Sequence, residues 1–547
     1  MSFNKTAILV AVFAVIGFKA QGQTLSSSER PKLMVGLVVD QMRWDFLYRY
    51  QDHFGPGGFN RLLNEGFVLD NVMIDYIPTV TALGHTSVYT GSVPSIHGIA
   101  GNDWIDRATG ASVYCTTDPN VHGVGSSSEK IGAHSPVNLW STTITDQLGI
   151  ATNFQSKVIG VSLKDRASIL PAGHRPTGAF WFDEGTGHFV TSSYYMEELP
   201  EWLVTFNSKN HPQALVKNGW STLKPISSYV ESTQDEVAWE GLLGSAKTPT
   251  FPYRNLPGDF KANKNIIRTT PFGNTLTLWA AEAAVEGNQM GADEVTDFLV
   301  VNLASTDYVG HKFGPNSIEV QDTYLRLDQD LSRFFAVLDK KVGAGNYTVF
   351  VTADHGAAHA EGYMKANKMK SGFYDIDLIE KIEEGLEEKF DAEDLVLGMD
   401  NFQIYLDHVK LRNLGLSRDA VAAHVVELLS QDSRLLYAVD LKAVGQAAIP
   451  EPIKSRIING YNWKRSGDIQ LIPHDGLLPS YSKTGTTHSV WNSYDAHIPL
   501  IFMGKGIPKG RSTRPYHMTD IAPTIAQLLK VENPSGNIGQ PISELLD

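Results

Sequence analysis

Three apolar, β-branched runs in this chain stop at an aspartate, and that repeated junction limits the folds open to it. Residues 32–39 (K-L-M-V-G-L-V-V) are followed by Asp40, and residues 297–304 (D-F-L-V-V-N-L-A) run into Ser305, Thr306 and Asp307. Residues 347–352 (Y-T-V-F-V-T) lead through Ala353 to Asp354 and His355. Runs without period-two alternation are expected of strands buried on both faces of a parallel sheet. In open α/β sheets, ligands bind beyond the carboxyl ends of the strands, so an Asp there is placed to hold a cation. One such Asp is as readily a cap on the following helix. Three of them, two with a nearby His, are more than core packing requires. Asp307 and His311 stand four apart and can converge on one metal, with Gly310 expected to turn the backbone tightly between them.

Other segments add polar groups of the matching kind. A fourth run, 156–163 (S-K-V-I-G-V-S-L), closes in Lys164, Asp165 and Arg166. Cations there suit an anionic substrate, Arg as a bidentate fork and Lys as a point charge, although a solvated strand end reads the same way. Residues 78–91 (P-T-V-T-A-L-G-H-T-S-V-Y-T-G) place Thr79 or Thr81 where a loop becomes a helix. A hydroxyl at that point faces free backbone N–H groups and the positive end of a helix dipole, which favours an alkoxide or a phosphate. Taken alone, it is equally a helix cap. Asn102, in the irregular segment G-I-A-G-N-D-W, can donate to a phosphate oxygen or simply form a turn. His488, in S-K-T-G-T-T-H, offers a further imidazole.

Length and composition bound what surrounds these residues. The chain has 547 residues, 42% hydrophobic and 19% charged, enough for a large core. Lys5, the apolar run 7–18 and the small residues 20–22 have the layout of a secretory signal peptide over 1–22. The run is too short to span a bilayer, so no integral membrane segment is expected after cleavage. Cys115 is the sole cysteine, which rules out an intramolecular disulfide. Removing residues 1–22, with Lys5 and Lys19 and no acid, takes the formal charge from −14 to −16. Such a surface repels nucleic-acid backbones. The βα rhythm breaks twice, so the mature chain, 23–547, is expected to form one catalytic domain. Its core covers about 30–166, 271–360 and 480–547, with insertions at about 167–270 and 361–479, the first lying over the site.

Together, V-G-L-V-V-D-Q-M-R-W-D, P-T-V-T-A-L-G-H-T, G-I-A-G-N-D-W, S-L-K-D-R, N-L-A-S-T-D-Y-V-G-H, T-A-D-H-G-A-A-H and S-K-T-G-T-T-H-S-V-W resemble the alkaline phosphatase superfamily. They are most similar to its phosphate-irrepressible bacterial branch of periplasmic monoesterases with a Thr nucleophile. The resemblance implies an alkaline-phosphatase-like three-layer α/β/α core with a largely parallel sheet, and hydrolysis of phosphate monoesters through a phospho-threonine intermediate. It implies two Zn²⁺ per subunit, one on Asp40, Thr81, Asp354 and His355 and the other on Asp307, His311 and His488. Thr81 matches the nucleophile, and Asn102, Lys164 and Arg166 match the phosphate-contacting residues. A periplasmic or secreted monomer acting on small phosphate monoesters is expected.

The motif has no recognisable ligands for a third, Mg²⁺ site, and Cys115 in Y-C-T-T-D does not match a sulfatase formylglycine motif. The nearest alternative is a nucleotide pyrophosphatase/phosphodiesterase of the same superfamily, against which Lys164 and Arg166 argue because a diester has one fewer charged oxygen. A cofactor-independent phosphoglycerate mutase is more remote and would not carry a signal peptide. A catalytically silent metal- or phosphate-binding protein would be expected to lack one of the motif residues, and none is missing.

Overall fold

The apolar run after Lys32 forms strand β1, Leu33–Val39, in which every residue is buried. The computed structural model of the protein describes residues 30–129, 131–374, 377–479 and 483–546; the expected signal peptide over 1–22 lies outside them. Seven further strands build the central sheet with β1. They are β2 (Phe67–Met73), β3 (Val158–Ser162), β4 (Gly178–Asp183), β5 (His188–Ser192), β6 (Asp297–Leu303), β7 (Tyr347–Thr352) and β8 (His497–Gly504). Their order is β2-β8-β7-β1-β6-β3-β4-β5, with short strands completing both edges. The run from β7 through β1, β6 and β3 to β4 is parallel, whereas β8 lies antiparallel between β2 and β7. β1, β6 and β7 are buried throughout, so both faces of the sheet are covered in this mixed α/β fold.

Register explains why the three aspartates meet. Val38 pairs with Thr352 on one side and with Asn302 on the other. The chain therefore leaves β1, β6 and β7 at one level, and Asp40, Asp307 and Asp354 emerge together at the carboxyl edge.

The two expected insertions differ. Segment 167–270 does not stand clear of the sheet: β4 pairs parallel with β3, and β5 pairs antiparallel with β4. The sequence reads 178–182 and 188–195 as strand-like pieces of the insertion; their place in the central sheet is not legible locally, because their partner β3 lies earlier in the chain and pairing is decided by tertiary contact. Segment 361–479 instead builds its own four-stranded sheet from Val396–Asp400, Gln403–Leu406, Ile469–Pro473 and Leu435–Asp440. Helices Asp377–Phe390 and Arg418–Ser430 help form a separate apolar core through Ile382, Leu386, Val421 and Val425.

Helix α1, Thr81–Thr90, is buried at every residue and has no polar face. Close packing on the β7 junction demands a small residue, since a Cβ on Gly84 would lie 2.3 Å from the Asp354 carbonyl oxygen. Gly84→Ala is therefore expected to destabilise the fold by about 1–3 kcal/mol through overpacking. Gly445→Ala, where a Cβ meets nothing within 4 Å, should change stability by less than about 0.5 kcal/mol. Thermal unfolding of the two variants checks the contrast.

Candidate active site

Asp40, Asp354 and His355 place one ligand atom each within 4.8 Å of the others, and all three residues are buried. His355 Nε2 lies 3.3 Å from Asp354 Oδ2 and 3.8 Å from Asp40 Oδ1. Ligand atoms around a tetrahedral zinc at 2.0–2.2 Å stand roughly 3.3–3.6 Å apart, so this spacing fits such an ion. The same three atoms have no hydrogen-bond partner. Buried, unpartnered oxygen and nitrogen atoms directed at one point are costly unless a cation joins them.

Asp307, His311 and His488 form the second group. Helix α3, Ser305–Phe313, carries Asp307 and His311 one turn apart on one face, and His311 Nε2 lies 3.1 Å from Asp307 Oδ1. The expected tight turn at Gly310 is not what brings them together; the helical repeat does. Gly310 is small for another reason, because a Cβ there would meet Gln41 Oε1 at 2.0 Å. His488 Nε2 is 3.8 Å from Asp307 Oδ1. Its ring stacks on His355 of the first group with centroids 3.6 Å apart, which makes the two groups neighbours.

Each of the three imidazoles is fixed through Nδ1. His355 meets the Gly356 carbonyl at 2.9 Å, His311 the Thr486 carbonyl at 2.9 Å and His488 the Thr79 carbonyl at 2.6 Å. A carbonyl can only accept, so Nδ1 carries a proton and Nε2 is the nitrogen turned to the site. Burial acts to lower the His311 pKa, but Asp307 outweighs it and raises it, so that ring frees its Nε2 lone pair only when a cation displaces the proton.

Lys164, which begins helix α2 (Asp165–Ala172), spans the two groups. Its Nζ donates to Asp307 Oδ2 at 2.7 Å, lies 2.9 Å from Asp40 Oδ2, and donates to Thr81 Oγ1 at 3.2 Å. Thr81 is the first residue of α1, so of the two candidate threonines it is Thr81 whose hydroxyl stands at the helix start. Thr79 instead donates to the Val490 carbonyl at 3.0 Å. Asn102 Oδ1 accepts from the Ala82 amide at 3.0 Å, which leaves its Nδ2 hydrogens for another partner. Arg166 Nη1 donates to Tyr114 Oη at 3.0 Å, and Tyr114 donates to Asp165 at 2.6 Å.

The three carboxylates are met by one ammonium. Burial acts to lower the Lys164 pKa, but Asp307 and Asp40 outweigh it and hold the ammonium protonated. For Asp307, burial is likewise outweighed, by His311 and Lys164, and the carboxyl is held well below its usual range. Asp40 goes the other way: burial and the neighbouring Asp354 charge push it well above that range despite Lys164. Burial also lowers His355, and lowers His488 well below normal with help from His355 and His311. Both rings are thus poised to be neutral ligands. The site has excess negative charge and lone pairs, which suits divalent cations.

Three supporting residues carried no motif. Gln41 adopts φ 63°, uncommon outside glycine, and links both groups: its amide N–H donates to Asp354 Oδ1 at 3.1 Å and its Nε2 to Asp307 Oδ1 at 2.8 Å. Tyr114 orients Arg166. Asp495 Oδ2 accepts from the Ser489 and Val490 amides at 2.9 and 3.0 Å, fixing the loop that presents His488. Gln41 adjoins Asp40 and is visible once that strand end is singled out; Tyr114 and Asp495 have no local signal.

A sequence profile described as type I phosphodiesterase/nucleotide pyrophosphatase matches residues 34–495. The chain is 62% identical over 538 residues to alkaline phosphatase PafA of Elizabethkingia meningoseptica, covering 98% of both chains. The crystal structure of wild-type PafA superposes with a TM-score of 0.93 at 64% identity, covering 95% of this chain and 99% of that one. A second PafA structure, of a variant with four substitutions, superposes with a TM-score of 0.93 at 62% identity, covering 95% of this chain and 99% of that one. Alkaline phosphatase PhoV of Synechococcus elongatus is 48% identical, covering 94% of this chain and 93% of its own. A Myroides odoratus protein named calcium-transporting ATPase is 50% identical over the full length of both. The chain belongs to the type I phosphodiesterase/nucleotide pyrophosphatase family within the alkaline phosphatase superfamily, on the branch of PafA. Among its described residues, no helix is long and apolar enough to cross a membrane.

Burial pushes the Asp495 carboxyl up to about 8. A carboxyl raised on folding favours the folded state below its unfolded pKa, and that advantage is lost as pH rises through the folded value, here between about 4 and 8. Asp495→Asn keeps an acceptor without the charge. Its melting temperature is expected to gain on that of the unsubstituted protein as pH rises from 5 to 9; parallel curves would show that Asp495 is already ionised.

Proposed function

We propose that this protein is an alkaline phosphatase that hydrolyses small phosphate monoesters with Thr81 as its nucleophile. One observation carries the reading: Lys164 Nζ joins Thr81 Oγ1 to a carboxylate of each ligand group. Two relatives of high identity along nearly the whole chain, PafA and PhoV, are named alkaline phosphatases, which supports monoester over diester hydrolysis. The signal-peptide layout of residues 1–22 fits an exported, periplasmic or secreted enzyme, and we take the monomer as its working form.

Mixed carboxylate and imidazole donor sets favour zinc over Mg²⁺, which prefers oxygen ligands. We assign one Zn²⁺ to Asp40, Asp354, His355 and Thr81, and one to Asp307, His311 and His488. Bound there, the two ions would supply Lewis-acid charge for the oxygens of the reacting phosphoryl group. The chain's own groups do the rest. The start of α1 favours the ionised form of Thr81 Oγ1, and Lys164, whose Nζ lies beside that oxygen, is placed to meet a non-bridging oxygen of the phosphoryl group that attaches there. That oxygen forms a bond to phosphorus as the bond to the leaving-group oxygen breaks in line with it, and the leaving group departs with the electron pair. Water then cleaves phospho-Thr81, releasing inorganic phosphate and restoring the hydroxyl. Asn102, held by Ala82, turns its Nδ2 hydrogens to a non-bridging oxygen, and Arg166, held by Tyr114, brings a second cationic donor.

Thr81→Ala is expected to abolish turnover while Thr81→Ser retains a substantial part, because Ser keeps the oxygen. Acid quenching with labelled substrate should leave phosphate on Thr81, and label on Thr79 would refute the choice of nucleophile.

A monoester dianion places more charge on its non-bridging oxygens than a diester does, so cations aimed there favour the monoester transition state. Two charge-assisted contacts correspond to about two to four powers of ten in rate. The Lys164→Ala, Arg166→Ala double variant should lose that much monoesterase activity and much less diesterase activity. Equal losses would mean that the two cations act generally and not on the extra charge.

A further inference from the structure

The separate sheet of segment 361–479 sends one hairpin towards the catalytic face. Its strands Val396–Asp400 and Gln403–Leu406 pair with Asp400 opposite Gln403, so the turn consists of Asn401 and Phe402 alone. Their φ angles are 51° and 59°. A two-residue turn of this hand suits Asn, whereas a bulky aromatic at positive φ is an outlier; Phe402 belongs to the segment's separate core and also lines the cavity beside the site. Asn401 Nδ2 donates to the Asp103 carbonyl at 3.1 Å, docking the tip on the loop that carries Asn102. The Phe402 ring lies 5.1 Å from that of Tyr374.

Between this tip and the site lies a cavity of about 390 Å³. Its inner wall includes His311, His488 and Asn102; its outer wall is Tyr374, Met399, Asp400, Phe402 and Pro479. Asp40, Asp354 and His355 do not line it. We infer that this cavity is the leaving-group subsite, and that it takes a flat, uncharged aromatic group. The inference rests on the phosphatase reading. In-line displacement sends the leaving oxygen away from Thr81, and this cavity opens beside His311 and His488. Two aromatic rings, a thioether and a proline match the face of an aryl ring. Asp400 sets the charge preference: burial, with Asp103 nearby, pushes its carboxyl up to about 6. Above that pH it is an anion at the wall, and it disfavours leaving groups that carry a carboxylate.

Phosphonates test this, because their carbon–phosphorus bond removes leaving-group basicity from the comparison. Binding of methylphosphonate, phenylphosphonate and 4-carboxyphenylphosphonate to the metal-loaded enzyme at pH 8 is measured by calorimetry. Phenylphosphonate should bind about tenfold tighter than methylphosphonate, and Phe402→Ala and Tyr374→Ala should each reduce that ratio about fivefold. Asp400→Asn should improve binding of the carboxyphenyl compound relative to the phenyl one. Two substitutions keep the test intact if the hairpin variant does not fold. Equal binding of methyl- and phenylphosphonate by the native enzyme, or an unchanged ratio in the folded aromatic variants, would overturn the subsite. Turnover of methyl phosphate by the same preparation is scored separately: its absence would refute the phosphatase reading, whatever the binding ratios.

Discussion

The structure depends on burying Asp40, Asp307 and Asp354 together with one ammonium, that of Lys164, among them. Ionised carboxylates out of water are tolerated only when paired and hydrogen-bonded. Much of the surrounding architecture answers that demand. Shared register brings the three strand ends level, Gln41 takes a left-handed backbone to donate to two of the carboxylates, and Lys164 reaches across both groups. Within this cluster the atoms left without a hydrogen-bond partner, Asp40 Oδ1, Asp354 Oδ2 and His355 Nε2, face one another. A cation-binding fold differs from a merely polar one in that respect, because its unpaired atoms converge.

The same arrangement divides the work between parts of the chain. The parallel strands and the helices that follow them supply Asp40, Asp307, Asp354 and Thr81, whose positions rest on a close-packed core that shifts little. His488 and Asn102 come from loops, and each is tied back by a specific bond, His488 to the Thr79 carbonyl and Asn102 to the Ala82 amide. Segment 361–479, with a core of its own, meets the site through the hairpin tip and through Tyr374 and Pro479. A separately cored unit can change its contact surface without disturbing the ligand groups, and that is where selectivity between substrates is most readily adjusted.

The sequence makes the strand ends legible because a run buried on both faces has a composition of its own, and an Asp at its end is anomalous. The helix start at Thr81 is legible from its small residues and the preceding Pro. What cannot be read locally depends on partners distant in the chain. β4 and β5 look like insertion because their place is set by β3. Gly310 looks like a hinge because glycine has two uses, backbone freedom and close approach, and only the position of Gln41 decides between them. Tyr114 acts through its bonds to Arg166 and Asp165 and Asp495 through its bonds to the His488 loop, and no spacing encodes a contact made across folded layers.

Binding of a phosphate dianion runs against the protein's formal charge of −14. Distance resolves it. Exposed charges farther than about 8 Å from the site are largely screened at physiological ionic strength, whereas groups buried with the phosphate are not. In the proposed reaction the ligand would be met there by Lys164, Arg166, the amide of Asn102 and the start of α1, and the buried carboxylates would recruit the cations that would otherwise be missing. Negative charge in the protein thus becomes the means of holding positive charge against the substrate. Global charge governs solubility and which polymers are repelled; the order of donors within a few ångströms of Thr81 governs which ester reacts.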